Sequence, residues 1–147
     1  MDDKLTVASI YNRRTSESNI VNVNISLSNK FNVNDYPFAL IIQSTTENQT
    51  KLAIYPIKKE KIIKITLFGQ NVSDNTIEML TEIIKNYEII HSSGLLIKKM
   101  KFFYECYLNL NQTDNEYKDL KGSLNKIRNI SLEVKIEDIS LKSVRCL

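Results

Sequence analysis

Histidine and cysteine, whose side chains often act in catalysis and metal binding, are few in this sequence, and their spacing does not assemble them into a catalytic pattern. His91 is the only histidine, and the two cysteines, Cys106 and Cys146, lie far apart without a CxxC spacing. General acid–base catalysis needs a positioned partner, and a zinc site needs three or four ligands. No GxGxxG, GxxxxGK[ST] or HExxH pattern occurs. We therefore predict no catalytic residue, no metal site and no cofactor, and a protein that is not an enzyme.

The segment from Gly69 to Asn75 is the part of the sequence best suited to bind a ligand. It joins a predicted strand to a predicted helix. The free N–H groups and the positive dipole end at a helix start favour an anion such as a carboxylate or phosphate. Gly69 would let the backbone turn or approach a ligand closely. Ser73, Asp74 and Asn75 are also ordinary helix-capping residues, so a purely structural role for them stays open.

Composition places the chain among globular proteins. With 147 residues, 42% hydrophobic and 25% charged, it suits one domain or one domain with an extension, and a disordered chain is excluded. The net charge of +3 permits an anionic partner but does not require one. The acidic start lacks the apolar region of a signal peptide, and no run approaches the roughly 18 apolar residues of a membrane span. We expect a soluble, cytoplasmic protein without a membrane partner.

Three short strands are predicted in an N-terminal β extension, residues 1–57. Apolar and polar residues alternate over Asn19–Ser28, and apolar runs cover Tyr36–Thr45 and Lys51–Ile57, with a polar turn between the last two. Three strands need a further surface to be stable. We therefore expect the extension to pair with the following domain or with a second subunit.

The remainder, residues 58–147, shows strand and helix patterns in the order strand, helix, strand, strand, helix, strand. The predicted strands are Ile62–Phe68, Glu88–Ile97 with a bend at Ser93-Gly94, Met100–Leu110 after a turn at Lys98-Lys99, and a last strand from Leu132. One helix is predicted over about residues 75 to 86, with Asn75 and Glu78 at capping-box-like spacing. The other follows the capping box Thr113-x-x-Glu116. This order indicates an α+β, ferredoxin-like βαββαβ sandwich, with both helices on one face of an antiparallel sheet.

The stretch KIIKITLFGQNVSDNTIEMLTEIIKNYEIIHSSGLLIKKMKFFYECYLNL resembles an ACT domain, with a first strand ending in Gly69, a loop entering a helix, and a second strand leading to a hairpin. The usual family loop has a glycine followed by Asp-x-Pro-Gly, and here the proline and second glycine are absent. ACT domains are small-molecule sensors, most often for amino acids, and they commonly pair side by side into dimers or larger sheets.

The resemblance implies a regulatory or sensor protein that binds a small anionic metabolite, such as an amino acid, at the interface of a homodimer or higher oligomer formed through the sheet. The implied ligand-binding residues are Gly69, Gln70, Asn71, Val72, Ser73 and Asp74, with Ser92, Ser93 and Gly94 lining the same cleft. Any regulatory output would then pass through a partner protein.

Two other functions fit the same order of elements. An RNA-recognition-motif-like domain would present aromatic side chains of its third strand to single-stranded RNA. The run Lys101–Tyr107, with Lys98 and Lys99 beside it, resembles that strand faintly, and Phe102 and Tyr104 would then stack on bases. The other alternative is a non-catalytic assembly subunit whose open sheet face serves only a partner protein.

Overall fold

A computed structural model describes residues 8–9, 23–110, 113–128 and 132–141, and divides the chain into two compact units, residues 1–32 and 33–147. The predicted domain division at residue 57 stays a prediction. The strand predicted over Asn19–Ser28 begins outside the described residues, and over Val23–Ser28 it is wrong, because that segment is in no strand. Alternation of apolar and polar residues cannot supply the neighbouring backbone that a strand requires.

The second unit begins with the hairpin that the polar turn predicts. Strands β1 (Phe38–Thr45) and β2 (Thr50–Ile57) pair antiparallel. The Thr46 N–H donates to the Gln49 carbonyl at 2.8 Å and closes the turn, and the hydroxyls of Thr45 and Thr50 lie 3.1 Å apart. The predicted extension thus contains two described strands rather than three.

Five strands and two helices follow in the described part of the chain, and the α+β class with an antiparallel sheet is confirmed. The elements are β3 (Lys61–Gln70), α1 (Asp74–Ile84), β4 (Ile89–Ser92), β5 (Leu96–Lys98), β6 (Lys101–Leu108), α2 (Asn115–Ile127) and β7 (Leu132–Ser140). The strands are ordered β4-β6-β3-β7, and β5 pairs with β6 beyond the end of β4. The single strand predicted over Glu88–Ile97 is therefore two short strands. Its predicted bend at Ser93-Gly94 interrupts it.

Strand β3 forms the centre of the core because it pairs with β6 on one side and β7 on the other. Side chains alternate across a strand, so Ile63, Ile65 and Leu67 all point to the side covered by the helices, where each is fully buried. Their partners in the core cluster include Leu80 and Ile84 of α1, Cys106 and Leu108 of β6, and Leu120 and Leu124 of α2. Both helices thus cover the same face of the sheet.

The second face of the sheet is mixed. An ion pair of 2.7 Å joins Lys64 Nζ of β3 to Glu105 Oε1 of β6, and the Lys64 ammonium lies 5.6 Å from the centre of the Tyr107 ring. Ile62 is buried at one end of this face, whereas Phe68 at the other end is 44% exposed. The exposed apolar surface of this face therefore lies at the Phe68 end.

Both helices begin at residues other than those suggested by the capping patterns. Ser73, with an extended backbone, caps α1, and its Oγ accepts a hydrogen bond from the Thr76 N–H at 3.2 Å. The cap proposed from Asn75 and Glu78 is therefore wrong, because Asn75 is already inside the helix. Helix α2 is capped at Asp114, one residue after the predicted Thr113. The N-cap is the last residue with extended backbone, and side-chain spacing alone does not locate it.

The hairpin turn between β5 and β6 holds two strained residues. It consists of Lys99 and Met100, one position later than predicted, with φ angles of 50° and 63°. Turns of this kind favour Asn-Gly, because a side chain in left-handed backbone costs about 1–2 kcal/mol. Glycine has more conformational freedom in the unfolded chain, and this offsets part of the strain that it relieves.

We therefore expect Met100→Gly to raise the free energy of unfolding by about 0.5–1 kcal/mol, measured by urea denaturation. Met100→Ala is the control, and a glycine variant no more stable than the alanine variant would contradict the strain.

Candidate functional site

The loop predicted to bind a ligand is tied into the protein by its own hydrogen bonds. Gly69 and Gln70 complete β3, opposite Phe102 and Lys101 of β6. The Asn71 backbone has a φ of 55°, and its N–H donates to the Met100 carbonyl at 2.9 Å. Val72 packs against the core, Ser73 caps α1, and Asp74 is the first residue of that helix. The Asn71 N–H and the Ser73 hydroxyl are thus occupied within the chain.

The second part of the predicted site continues the edge of the sheet. Ser92 ends β4 opposite Cys106. The Ser93 N–H donates to the Glu105 carbonyl and the Glu105 N–H donates to Ser93 Oγ, each at 2.9 Å. Gly94 follows with a φ of 74°, a conformation that favours glycine. These residues carry the chain from β4 to β5 along the edge of β6.

Strand β6 separates the two parts of the predicted site. Gly69 stands opposite Phe102 on one side of β6, while Ser92 stands opposite Cys106 on the other side. Four residues along a strand span about 13 Å. Ser92, Ser93 and Gly94 are therefore not on a strand next to β3, because the sequence order of strands differs from their spatial order. The ligand-binding role of all nine residues stays a prediction.

An apolar cleft of about 200 Å³ lies between α1 and the sheet, in the region that separates those two parts. Its wall includes Leu95, which follows Gly94, and Phe102, which stands opposite Gly69. The other apolar walls are Leu67, Ile77, Leu80, Ile84 and Ile89. None of the nine predicted site residues lines it. The periodicity of α1 assigns its apolar residues to the core and does not distinguish a core from a cleft.

Three polar side chains border the cleft. Thr81 Oγ1 donates to the Ile77 carbonyl at 2.9 Å, and Lys85 forms an ion pair with Glu82 at the exposed side of α1. Burial and the neighbouring Cys106 raise the pKa of Tyr104 above its ordinary 10.0, although a hydrogen bond with Ser92 opposes this. The phenol is therefore uncharged at neutral pH. The cleft thus combines apolar walls with one cation and two hydroxyls.

The described cysteine and histidine both have structural surroundings that account for them. Cys106 is fully buried, and burial raises the pKa of its thiol to about 12, so the nucleophilic thiolate is suppressed. His91 Nδ1 lies 2.7 Å from the Tyr55 hydroxyl, and its ring packs edge-on to Tyr107 at 6.1 Å. This contact joins the β1–β2 hairpin to the sheet. Among the described residues, no group of three His, Cys, Asp or Glu side chains could hold a metal ion.

A second surface lies on the face of the sheet opposite the helices. It is called here the lysine-rimmed patch and consists of Phe68, Leu96, Lys98, Lys99, Lys101 and Phe103. Phe68 and Phe103 stand directly opposite each other on β3 and β6, and Leu96 stands opposite Phe103 on the other side. Phe102 and Tyr104, which the RNA-binding alternative uses, point the other way, because they alternate with Phe103 along β6. Phe102 is only 4% exposed and belongs to the core.

No protein-family model matches the sequence, and no curated protein matches it. Among solved structures, a formyltetrahydrofolate deformylase from Pseudomonas putida KT2440 matches over 51% of this chain and 28% of its own, at 8% identity and a TM-score of 0.36. A likeness this distant supports neither a fold assignment nor a function. Within the ranges that the structure describes, no helix is long and apolar enough to cross a membrane.

Proposed function

We propose that this protein is a non-enzymatic small-molecule sensor, in which an ACT-like domain of ferredoxin-like topology binds its ligand in the apolar cleft beneath α1. The cleft is the observation that carries the proposal. The sheet order β4-β6-β3-β7, with both helices packed on one face, supports the ferredoxin-like topology. In this arrangement the ligand would contact β3, β6 and α1 at once, so that binding would stabilise the centre of the fold.

The lining of the cleft defines the chemistry of the proposed ligand. Ligand sites combine mainly apolar walls with a few polar groups that fix orientation. A volume of about 200 Å³ suits a small molecule rather than a nucleotide. Lys85 would pair with a carboxylate, while the hydroxyls of Thr81 and Tyr104 would serve an amino group or a second oxygen. We therefore propose a hydrophobic amino acid or a related small carboxylate.

We further propose that the protein dimerises through its sheet and regulates a partner protein. Dimerisation through the sheet would use an edge, and β7 is one edge strand of the described sheet. A regulated protein partner in the cytoplasm would then respond to ligand-dependent stabilisation of the dimer. The loop from Gly69 to Asp74 would contribute at such an interface, where a second subunit could bring further groups to it.

A thermal-shift screen of the purified protein against the twenty amino acids tests the proposal. Ligand at a hundred times its dissociation constant adds about 2.7 kcal/mol of stability, so we expect a clear rise in Tm with at least one hydrophobic amino acid. Thr81→Phe would fill the cleft from α1 and abolish the rise. Glu78→Phe adds the same ring at an exposed position of α1 that does not line the cleft, and it should retain the rise.

The charge requirement can be tested in the same assay. Lys85→Met keeps the apolar stem but removes the cation, so it should weaken binding of the amino acid and leave binding of its amide analogue, which lacks the carboxylate, unchanged. If no amino acid or small carboxylate stabilises the protein, the proposal is wrong. If the rise survives Thr81→Phe, the ligand binds elsewhere, and the Gly69–Asp74 loop becomes the next segment to substitute.

A further inference from the structure

We propose that the lysine-rimmed patch binds single-stranded nucleic acid, with bases lying on Phe68 and Phe103 and phosphates on Lys98, Lys99 and Lys101. This inference is independent of the sensor proposal, because the patch and the apolar cleft lie on opposite faces of the sheet. The partner class follows from three properties of the patch: an aromatic pair with one exposed and one half-buried ring, a basic rim without an ion pair in the described ranges, and a strained turn that holds the rim in place.

The aromatic pair forms a platform on the sheet. Phe68 and Phe103 are cross-strand partners, and side chains directly opposite on neighbouring strands have Cβ atoms about 4.5–5.5 Å apart. Phe68 is 44% and Leu96 57% exposed, and Phe103 is half-buried. Exposed apolar patches rimmed by polar residues mark interaction sites. Two adjacent rings on one face of a sheet are suited to planar partners, and nucleic-acid bases stack on aromatic side chains without regard to sequence.

The rim is basic and has no counter-ion in the described chain. Lys98 and Lys101 stand opposite each other at the end of the β5–β6 hairpin, and Lys99 lies in the turn between them. Like charges directly opposite across a sheet are destabilising. Within the described ranges, none of these three lysines forms an ion pair with a carboxylate. A bound anion, such as the phosphate groups of a nucleic acid, would reduce the repulsion among these lysines.

The turn between β5 and β6 has a strained backbone next to the patch. Lys99 and Met100 both have positive φ angles although neither is glycine or asparagine. Strained residues in the left-handed region persist where the surrounding structure requires them and often mark functional sites. Here the turn places a lysine at the tip of the hairpin, next to the platform, and the Met100 carbonyl accepts the Asn71 N–H at 2.9 Å. The rim is therefore held against the β3–α1 loop.

The charge pattern argues against a second copy of this chain as the partner. A two-fold interface places the same surface on both sides, so the six patch residues, which include three lysines and no carboxylate, would meet a surface of the same positive charge. The charge pattern also indicates where a bound nucleic-acid strand would lie. Glu133 of β7 stands opposite Phe68, whereas Glu105 is paired with Lys64. Because Glu133 would repel phosphates, a bound nucleic-acid strand would avoid β7 and lie along the β5–β6 end of the sheet.

Fluorescence anisotropy with the full chain and labelled twelve-nucleotide oligouridine and oligothymidine tests the proposal. For a single strand that contacts three lysines, the logarithm of the association constant should fall with the logarithm of salt concentration with a slope of about −2. The triple variant Lys98→Gln, Lys99→Gln and Lys101→Gln should bring the slope close to zero. The matched control replaces Lys118, Lys121 and Lys126, which are exposed on α2, and should bind like the wild type.

The aromatic platform is tested separately. Phe68→Ala and Phe103→Ala should each weaken binding by about tenfold with the salt slope unchanged, because stacking does not release counterions. Thermal melts would confirm that each variant is folded. Tighter binding of oligouridine than of oligothymidine would assign the surface to RNA, and the reverse to DNA. Binding that is unaffected by all of these substitutions would overturn the proposal. Equally tight binding of polyglutamate, or no binding of either oligonucleotide, would also overturn the proposal.

Discussion

Replacing Ile65 with alanine is expected to lower the free energy of unfolding by about 2–5 kcal/mol, the range for buried isoleucine truncation. Ile65 is fully buried at the middle of β3, between Cys106 of β6 and Ile136 of β7. Both neighbouring strands and both helices surround it, so the structure cannot easily collapse into the cavity. Because domains of this size are stable by about 5–15 kcal/mol, the loss is a large share of the total. Urea denaturation followed by circular dichroism would measure it.

The matched control is the next residue along β3. Thr66 points to the second face and is only half-buried, so Thr66→Ala should change the free energy of unfolding by less than about 1 kcal/mol. Equal losses for the two variants would show that the helix side of β3 is not the principal core. The pair of variants therefore tests the assignment of the two sheet faces, on which both proposed sites depend.

The stability of the protein is expected to fall as the pH rises above about 9, mainly because of Cys106. Burial raises the pKa of this thiol from 9.0 to about 12. The native state therefore keeps its proton between these values, while the unfolded chain releases it. Stability from this group is fully present below pH 9 and is lost as the pH rises toward 12. Within that window the free energy of unfolding should fall by about 1.4 kcal/mol per pH unit.

The contribution of Cys106 can be separated from other alkaline groups. Burial also raises the pKa values of Tyr87 and Tyr104 from 10.0, with loss of stability in the same direction but beginning above pH 10. In a Cys146→Ser background, Cys106→Ala should lower stability at pH 7 through the cavity it leaves. The decline between pH 9 and pH 10 should then disappear. A variant that keeps the full slope in this interval would exclude Cys106 as its cause.

Much of the second unit could be predicted from periodicity. The alternation from Ile62 to Phe68 correctly separates the core side of β3 from the second face, and the apolar positions of α1 and α2 are those that pack on the sheet. Periodicity succeeds here because the apolar side chains of each element pack against a neighbouring element. The same alternation at Val23, Ile25 and Leu27 predicts a strand that does not form there.

The candidate sites were less predictable. The residues from Gly69 to Asp74 are where the helix-entry pattern places them, but Asn71 and Ser73 bond within the chain. Ser92 to Gly94 lie across β6 from that loop, and no local pattern encodes this separation. The apolar cleft was missed because Ile77, Leu80 and Ile84 have the spacing of any core-facing helix. An incompletely filled space between helix and sheet depends on the packing of several elements together.

The aromatic residues of β6 show the division between local and tertiary information most clearly. The alternation Phe102, Phe103, Tyr104 establishes from the sequence alone that neighbouring aromatics point to opposite faces. It does not establish which face the helices cover, and the RNA-binding alternative accordingly placed the wrong pair on the exposed side. Nor does it bring Phe68 beside Phe103. That pairing depends on the register of two strands far apart in the chain, which follows from the packing of β3 between β6 and β7.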